Sequence, residues 1–475
     1  MEPGPDQSAP GLGLPARSKN MFESADRVLK RIHPAYLVIF SYLSAALIGM
    51  ALLSLPQAST GEPVSPLDAL FTSTSAICVT GLIVVDTGSQ FTIFGKMVIL
   101  ILIQMGGLGV MTFSVFLFLF LGRKIGTRER WIINETFTAA PTGDIKNLIK
   151  LIFVFTFIME VAGALVLSFV FLSNGMASGE AAFSGIFHSV SAFCNAGFSF
   201  FSSSFIAYRE NIILNVAVML LIIIGGIGFP VIYEVTERIR RRGQSGRKLI
   251  SLHTRMVLSS TVVLILSGAV ILFLFEGGAA FRSLSGKGRL LTSLFQSVTT
   301  RTAGFNTIDI PSLKPAALMI LIMLMFVGAS PGSCGGGIKT TALAVFAGIV
   351  KSRIKGMRYD SFARRTIPEE ITSRVFSIFI LAVLTVSIGL LLLLLTQEPG
   401  DTEFFYLAYL FEAVSAFATV GLSMGVTSAM TWAGKIIIIL MMLTGRVGLL
   451  TIAYVLTRKK RKVTYKYAEE KVMIG

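Results

Sequence analysis

Four short stretches of this chain share one form: Cys78-Val79-Thr80-Gly81-Leu82, Cys194-Asn195-Ala196-Gly197-Phe198, Arg301-Thr302-Ala303-Gly304-Phe305 and Ala418-Thr419-Val420-Gly421-Leu422. Each passes through small or polar residues to a glycine and then a bulky apolar side chain. Each follows a Ser/Thr-rich, Phe-containing run of about a dozen residues. Such loops suit one task. A dehydrated alkali cation needs a cage of oxygens in place of its hydration shell, and rings of backbone carbonyls supply it. Carbonyls can all turn inward only in conformations costly for a residue with a Cβ, and glycine removes that cost. The candidate oxygens are the carbonyls of Val79, Thr80, Asn195, Ala196, Thr302, Ala303, Thr419 and Val420. The glycines are separated by 116, 107 and 117 positions, so the cage would be assembled from four equivalent loops of one polypeptide.

Two further features stand near these loops. The run Gly328-Ala329-Ser330-Pro331-Gly332-Ser333-Cys334-Gly335-Gly336-Gly337-Ile338-Lys339 cannot continue a helix, since each Gly costs about 1 kcal/mol and Pro about 3. A helix beginning near Ala317 must break there and resume near Thr340. The freed backbone groups need water or protein partners, so the segment should line a cavity. Arg446 follows Gly421 by 25 residues, comparable with the 26 between Gly81 and Gly107. That places it below the fourth loop, close to the broken helix, where a fixed cation is an electrostatic barrier to other cations. Arg301, just before the third loop, is expected to pair with an acid or a carbonyl; Glu412 is a possible partner.

The elements that must hold these residues are membrane helices. Of 475 residues 53% are hydrophobic and 14% charged, with mean hydropathy +0.75, which is a membrane-protein profile. Spans are expected over roughly 35–55, 96–121, 148–172, 211–235, 255–276, 317–350, 371–396 and 432–457. The expected fold is an all-α integral membrane protein of eight helices, in four parallel helix–pore loop–helix repeats around a central pore. The units cover 35–122, 148–240, 255–350 and 371–457, between an N-terminal extension (1–34) and a basic tail (458–475). Between the long helices lie stretches too short to span: Ser65 to Ile77, Ala182 to Phe193, Arg289 to Thr300 and Glu403 to Phe417. These read as re-entrant half-helices whose partially negative C-terminal ends would face a cation. Their copies align closely: Leu70-Phe71-Thr72-Ser73, Ile186-Phe187-His188-Ser189, Leu294-Phe295-Gln296-Ser297 and Leu410-Phe411-Glu412-Ala413. The third copy is one residue shorter before its glycine. The pairs Gly106-Gly107 and Gly225-Gly226, and Gly445 beside Arg446, read as close helix packing, and Pro230 as a bend.

The net charge of +16 follows topology rather than nucleic acid. Of 42 Lys and Arg, 32 fall in segments 1–34, 123–150, 236–256, 351–374 and 457–475. These alternate with helix pairs onto one face, which the positive-inside rule makes cytoplasmic, termini included. Arg238 to Arg242 suits anionic lipid or a cytosolic partner. Three cysteines make no disulfide framework, and no metal-spaced His or Cys cluster argues for an enzyme. Gly126 to Phe137, with Trp131, reads as an interfacial helix without assigned function.

With these residues in hand, the chain resembles the superfamily of K+ transporters that includes Trk, Ktr and plant HKT proteins. The resemblance spans about residues 35–457. It is carried by the four glycine loops, the Gly-rich break and the Gly445-Arg446 pair. Eight helices without an additional N-terminal pair resemble the bacterial KtrB-type membrane subunit. The resemblance implies a selectivity filter at Val79 to Leu82, Asn195 to Phe198, Thr302 to Phe305 and Thr419 to Leu422. It also implies an intramembrane gate made of Gly328, Ser330 to Gly337, Lys339 and Arg446. It further implies K+ as substrate with Na+ as a possible coupling ion, a homodimer in the bacterial plasma membrane, and a cytosolic KtrA-type ring carrying ATP or ADP. No dinucleotide fingerprint is convincing in this chain, which agrees with nucleotide control on another subunit. Gly81 keeps the glycine where Na+-favouring members tend to carry Ser. The alternatives are a Na+-conducting or Na+/K+ cotransporting member, or a secondary transporter of organic solutes. The parallel repeats argue against the last, because inverted repeats are expected there.

Overall fold

A computed structural model describes residues 34–109, 145–240, 250–277, 280–282, 284–357, 359–363, 365–398, 404–449 and 451–452. The N-terminal extension, the Gly126–Phe137 segment, Arg241, Arg242 and the basic tail lie outside the described residues.

The chain runs through four successive units. Unit one holds α1 (Pro34–Leu53), α2 (Pro66–Ile77) and α3 (Ile93–Leu108). Unit two holds α4 (Ile145–Ser173), α5 (Ser178–Phe193), α6 (Ile212–Ile227) and α7 (Phe229–Arg240). Unit three holds α8 (Leu252–Glu276), α9 (Gly286–Thr299), α10 (Pro315–Phe326) and α11 (Thr340–Ile354). Unit four holds α12 (Glu369–Thr396), α13 (Phe405–Ala418) and α14 (Trp432–Val447).

The opening helices α1, α4, α8 and α12 are long and apolar enough to cross a bilayer. Their outward faces expose Phe157, Leu165, Leu274 and Ile380, side chains that suit lipid rather than water. The half-helices α2, α5, α9 and α13 have 12 to 16 residues, too short to span about 30 Å at 1.5 Å per residue. Their starts are set by local chemistry. Ser65 caps α2 by accepting the Asp68 N–H at 3.2 Å, with Pro66 in the first turn, and Ser285 caps α9 by accepting the Gly288 N–H at 3.0 Å. Each carries one fully buried Phe at the same place: Phe71, Phe187, Phe295 and Phe411.

The second helices differ from expectation. The spans expected over 96–121, 211–235 and 432–457 do not run as single straight helices. α3 ends at Gly109 (φ +82°), α6 at Gly228 (φ +98°) and α14 at Gly448 (φ +96°). A glycine in a positive-φ conformation ends a helix without the strain a Cβ would bring. At Gly228 the chain turns by 96° into α7. The break between α10 and α11 in unit three, expected from its glycines, is thus accompanied by a helix end at a positive-φ glycine in each of the other three units. Among the described residues, four helices are long and apolar enough to span, or five if the bent pair is one.

Packing closes the units into a ring. Each long helix lies on its own half-helix. Each second helix reaches the half-helix of the next unit: α3 touches α5, α6 touches α9, α10 touches α13, and α14 returns to α2. Across the first and last units Lys435 Nζ meets Asp68 Oδ1 at 2.6 Å.

Candidate functional site

The four glycine loops meet at the centre of this ring. Gly81, Gly197, Gly304 and Gly421 all have positive φ, between +71° and +92°. A Cβ on any of them would strike a carbonyl of the neighbouring loop. At Gly197 the obstacle is Ala303 O at 2.7 Å, and at Gly304 it is Val420 O at 2.5 Å. Gly81 faces Ala196 O and Gly421 faces Thr80 O, both closer still. The order is cyclic, one to two to three to four to one, so four predicted filter carbonyls stand at a single constriction.

The sequence named the residue two before each glycine as a candidate ligand but did not reveal its backbone conformation. Val79, Asn195, Thr302 and Thr419 have φ of +57°, +59°, +74° and +53°. A non-glycine residue there pays strain that its surroundings must hold. Asn is the one type of the four that tolerates this region well; nothing in Val or Thr advertises it. What holds them is the half-helix end. Thr80, Ala196 and Val420 donate their N–H groups to the carbonyls of Ser75, Ser191 and Ser415 at 2.7–2.8 Å. The hydroxyls of Ser75 and Ser415 accept from Gly81 N at 3.1 Å and Gly421 N at 3.0 Å, while Ser191 donates to Phe198 O at 2.8 Å. Unit three, one residue shorter, has Thr299 in that position and closes its loop from Ala303 N to Thr299 O at 2.9 Å. Leu82, Phe198, Phe305 and Leu422 are buried behind the ring.

Against the inner side of the ring lies residues 328–337. Gly336 N donates to Thr419 Oγ1 at 3.0 Å, and Gly335 packs against Thr302 Oγ1 so closely that a Cβ has no room. The loop is held to the broken helix of unit two. Ser330 N and Cys334 N donate to Gly226 O (3.1 Å) and Gly225 O (3.2 Å), and Phe229 N donates to Gly332 O at 2.9 Å. Those carbonyls belong to the last turn of α6, which Gly228 leaves without helical donors. Pro331 O sits where a Cβ on Gly228 would be. Within the loop, Gly328 N donates to Ile338 O at 2.8 Å, Ser333 to Ser330 O at 2.6 Å, and Lys339 Nζ to Gly335 O at 2.8 Å. Gly337 (φ +68°) packs on Ala418 at the end of α13.

Arg446 reaches this loop, as its spacing predicts. One Nη donates to Cys334 O and the other to Gly106 O in the last turn of α3; Nε stands 3.4 Å from the Tyr42 hydroxyl. One guanidinium thus ties the loop to α14, α3 and α1. Tyr42 and Gly106 as its partners could not be read from spacing. The repeated glycines do pack closely: Gly106, Gly225 and Gly445 leave no room for a Cβ beside the carbonyls of Ile77, Phe193 and Phe417, the ends of three half-helices.

The pair expected between Arg301 and Glu412 does not form. Glu412 accepts from the Ser423 hydroxyl, Met424 N (3.0 Å) and Thr427 Oγ1 (2.9 Å). Arg301 is buried, and its Nε finds no protein partner among the described residues. A carboxylate with three local donors has no need of a distant cation. Cys78, Cys194 and Cys334 are free and buried. Cys194 lies 3.7 Å from Gln104 Oε1 and 3.9 Å from Glu160 Oε1, a buried acid that sequence reasoning passed over.

Four converging glycine loops, half-helices ending on them and a glycine-rich loop packed against them, carried by long apolar helices, define a multi-pass membrane protein. The comparisons agree. The family described as "TrkH: Cation transport protein" matches residues 34–463, and the chain belongs to that family. It is 37% identical to the Ktr system potassium uptake protein B of Bacillus subtilis, over 95% of this chain and 99% of that one. It is 35% identical to the potassium/sodium uptake protein NtpJ of Enterococcus hirae, over 94% and 99%. The potassium transporter TrkH of Vibrio parahaemolyticus shares the fold, with TM-score 0.69, 20% identity, and coverage of 90% of this chain and 85% of that one.

Proposed function

We propose that this chain carries K+ across the bacterial plasma membrane through the constriction of the four glycine loops. In this reading Val79, Thr80, Asn195, Ala196, Thr302, Ala303, Thr419 and Val420 offer the coordinating carbonyls, and residues 328–337 with Lys339 and Arg446 form the gate. The observation that carries it is the cyclic approach of each glycine to the next loop's carbonyl. Oxygens from four quarters then surround one axis, and the partially negative ends of four half-helices converge there. Arg446 latches the gate by holding Cys334 O, and it places a positive charge beneath the filter. The relatives named for potassium uptake support K+ as the ion. By the same resemblance we assign a homodimer with cytoplasmic termini and a cytosolic nucleotide-binding ring as partner.

The test is flux. Purified protein in proteoliposomes should take up 86Rb+, and excess K+ should compete. Expression should restore growth of a K+-uptake-deficient bacterium at low K+. Gly304→Ser should weaken preference for K+ over Na+; unchanged uptake and preference would remove the filter assignment. The NtpJ relative, named for potassium and sodium, favours a second reading in which Na+ also passes or is coupled, and 22Na+ uptake driven by a K+ gradient would establish it.

A further inference from the structure

Alignment of the four units puts one residue of each half-helix in the same place, directly after the buried Phe: Thr72 on α2, His188 on α5, Gln296 on α9 and Glu412 on α13. In units two and four this residue performs the same task with different chemistry. His188 Nδ1 lies 2.8 Å from Ser184 O, which leaves Nε2 to accept the N–H of Phe200 at 3.3 Å, with Ser199 Oγ 3.0 Å away. Glu412 accepts the N–H of Met424 at 3.0 Å and the hydroxyl of Ser423. Ser199 and Ser423 each stand two residues after their loop glycine, and Phe200 and Met424 each stand three after it. The same tie runs in both units, from the half-helix to the strand that leaves the glycine loop.

Units one and three lack it. The corresponding residues of unit one are Ile83 and Val84, which offer no polar side chain, and the Thr72 hydroxyl has no protein partner among the described residues. In unit three neither amide atom of Gln296 finds one among the described residues. That strand is tied instead to the neighbouring unit, by Asn306 N to Ser204 Oγ at 3.2 Å and Phe205 N to Asn306 O at 2.9 Å. In the cyclic order of the ring, units two and four lie opposite one another. His188 and Glu412 are both fully buried.

We propose that His188 and Glu412 are the positioning residues of the selectivity loops, fixing units two and four so that their carbonyls discriminate K+ from Na+. The proposal rests on the filter reading above. A carbonyl ring selects only while its oxygens are held at the spacing the larger ion fits. A loop whose outgoing strand can slide does not hold that spacing. Removing either acceptor leaves part-buried donors without their partner, so these ties are local and costly to break. Neither side chain touches the ion; each acts through its strand.

The 86Rb+ to 22Na+ uptake ratio in proteoliposomes tests this, with G304S as the filter control. E412L and H188L should lower the ratio about tenfold, one net buried hydrogen bond's worth. E412Q and H188Q keep an acceptor and should recover most of it; T72V should match the parent protein. Parent-like ratios in both Leu variants, with G304S impaired, overturn the positioning role and leave the filter standing. An unimpaired G304S overturns the filter itself. A measurement on the unaltered protein covers the case where Leu variants fail to fold. The Phe200 and Met424 amides should exchange hydrogen more slowly than those of Val84 and Thr307, and equal rates would overturn the proposal.

Discussion

The ring of glycines predicts a graded series. Alanine adds one Cβ at each of Gly81, Gly197, Gly304 and Gly421, and at every one the first obstacle is a backbone carbonyl that no rotamer change can move. Real Cβ atoms do not approach heavy atoms within 3.0 Å. Relief therefore takes about 0.3 Å at Gly197 and about 0.5 Å at Gly304, more at Gly81 and most at Gly421. Each alanine also sits at φ of +71° or beyond, which costs roughly 1–2 kcal/mol for an L residue. The backbone strain is similar in the four variants, so the gradient in displacement should govern their order. The carbonyl displaced is the one proposed to hold the ion: Ala303 O in G197A, Val420 O in G304A, Ala196 O in G81A and Thr80 O in G421A. Loss of K+ preference should rise in that sequence, from a few-fold for G197A to more than about tenfold, near 1.4 kcal/mol, for G421A. The assay is the ratio of 86Rb+ to 22Na+ uptake in proteoliposomes, normalised to folded protein. Four equal losses, or the greatest loss in G197A, would refute the argument from close approach.

Other outcomes follow from the gate and the outer surface. Arg446→Ala frees Cys334 O and should raise flux severalfold with the ion preference kept; Arg446→Lys, one donor for a two-armed clasp, should fall between, and lower flux in both would count against a latch. Thr419→Val removes the acceptor of Gly336 N and should likewise raise resting flux, read as 86Rb+ leak from loaded vesicles. At the outer surface burial works against the Asp86 carboxylate, but hydrogen bonds from Ser202, Ser89 and Gly88 outweigh it and hold its pKa below the ordinary 3.8. A depressed carboxylate contributes stability that is complete above 3.8 and lost as pH falls through the lower folded value. Thermal melts between about pH 5 and pH 2 should therefore show Asp86→Asn converging on the parent protein at the acid end. Lys435→Met breaks a part-buried, charge-assisted hydrogen bond to Asp68 and should cost about 1–3 kcal/mol in thermal melts, less in high salt.

How much of this was legible in the sequence depends on what each element needed. The half-helices were, because an apolar stretch too short to span and a glycine at its end are local signals. Their observed limits, Pro66–Ile77 and Ser178–Phe193 among them, lie within a few residues of expectation. The break at 328–337 was, because five glycines and a proline have no helical alternative. The breaks at Gly109, Gly228 and Gly448 were not. One glycine in an apolar helix is ordinarily packing, and here the two uses sit side by side: Gly225 packs on Phe193 while Gly228 ends the helix. Arg446 was placed by its count from the loop, yet its partners Tyr42 and Gly106 both come from unit one, more than 300 residues away. Arg301 and Glu412 misled, since opposite charges near one loop invite pairing, and only the fold reveals three nearer donors around Glu412.

The helix breaks and the blocking loop explain one another. A second helix that stops midway leaves its last carbonyls without donors, a cost that water or protein must offset. In unit two the loop itself supplies those donors, through Ser330 N and Cys334 N on Gly226 O and Gly225 O. In unit one a guanidinium does, through Arg446 on Gly106 O. In the gate proposed above, each group that seals the path also satisfies the end of a helix, so the closed arrangement is stabilised by hydrogen bonds that opening must replace. Water entering the vacated space can replace them at small net cost. The closed and open arrangements then differ by a few exchanged hydrogen bonds rather than by a repacked core. On the proposed gate reading, a few exchanged hydrogen bonds are then all that a bound partner must offset to shift the balance between them.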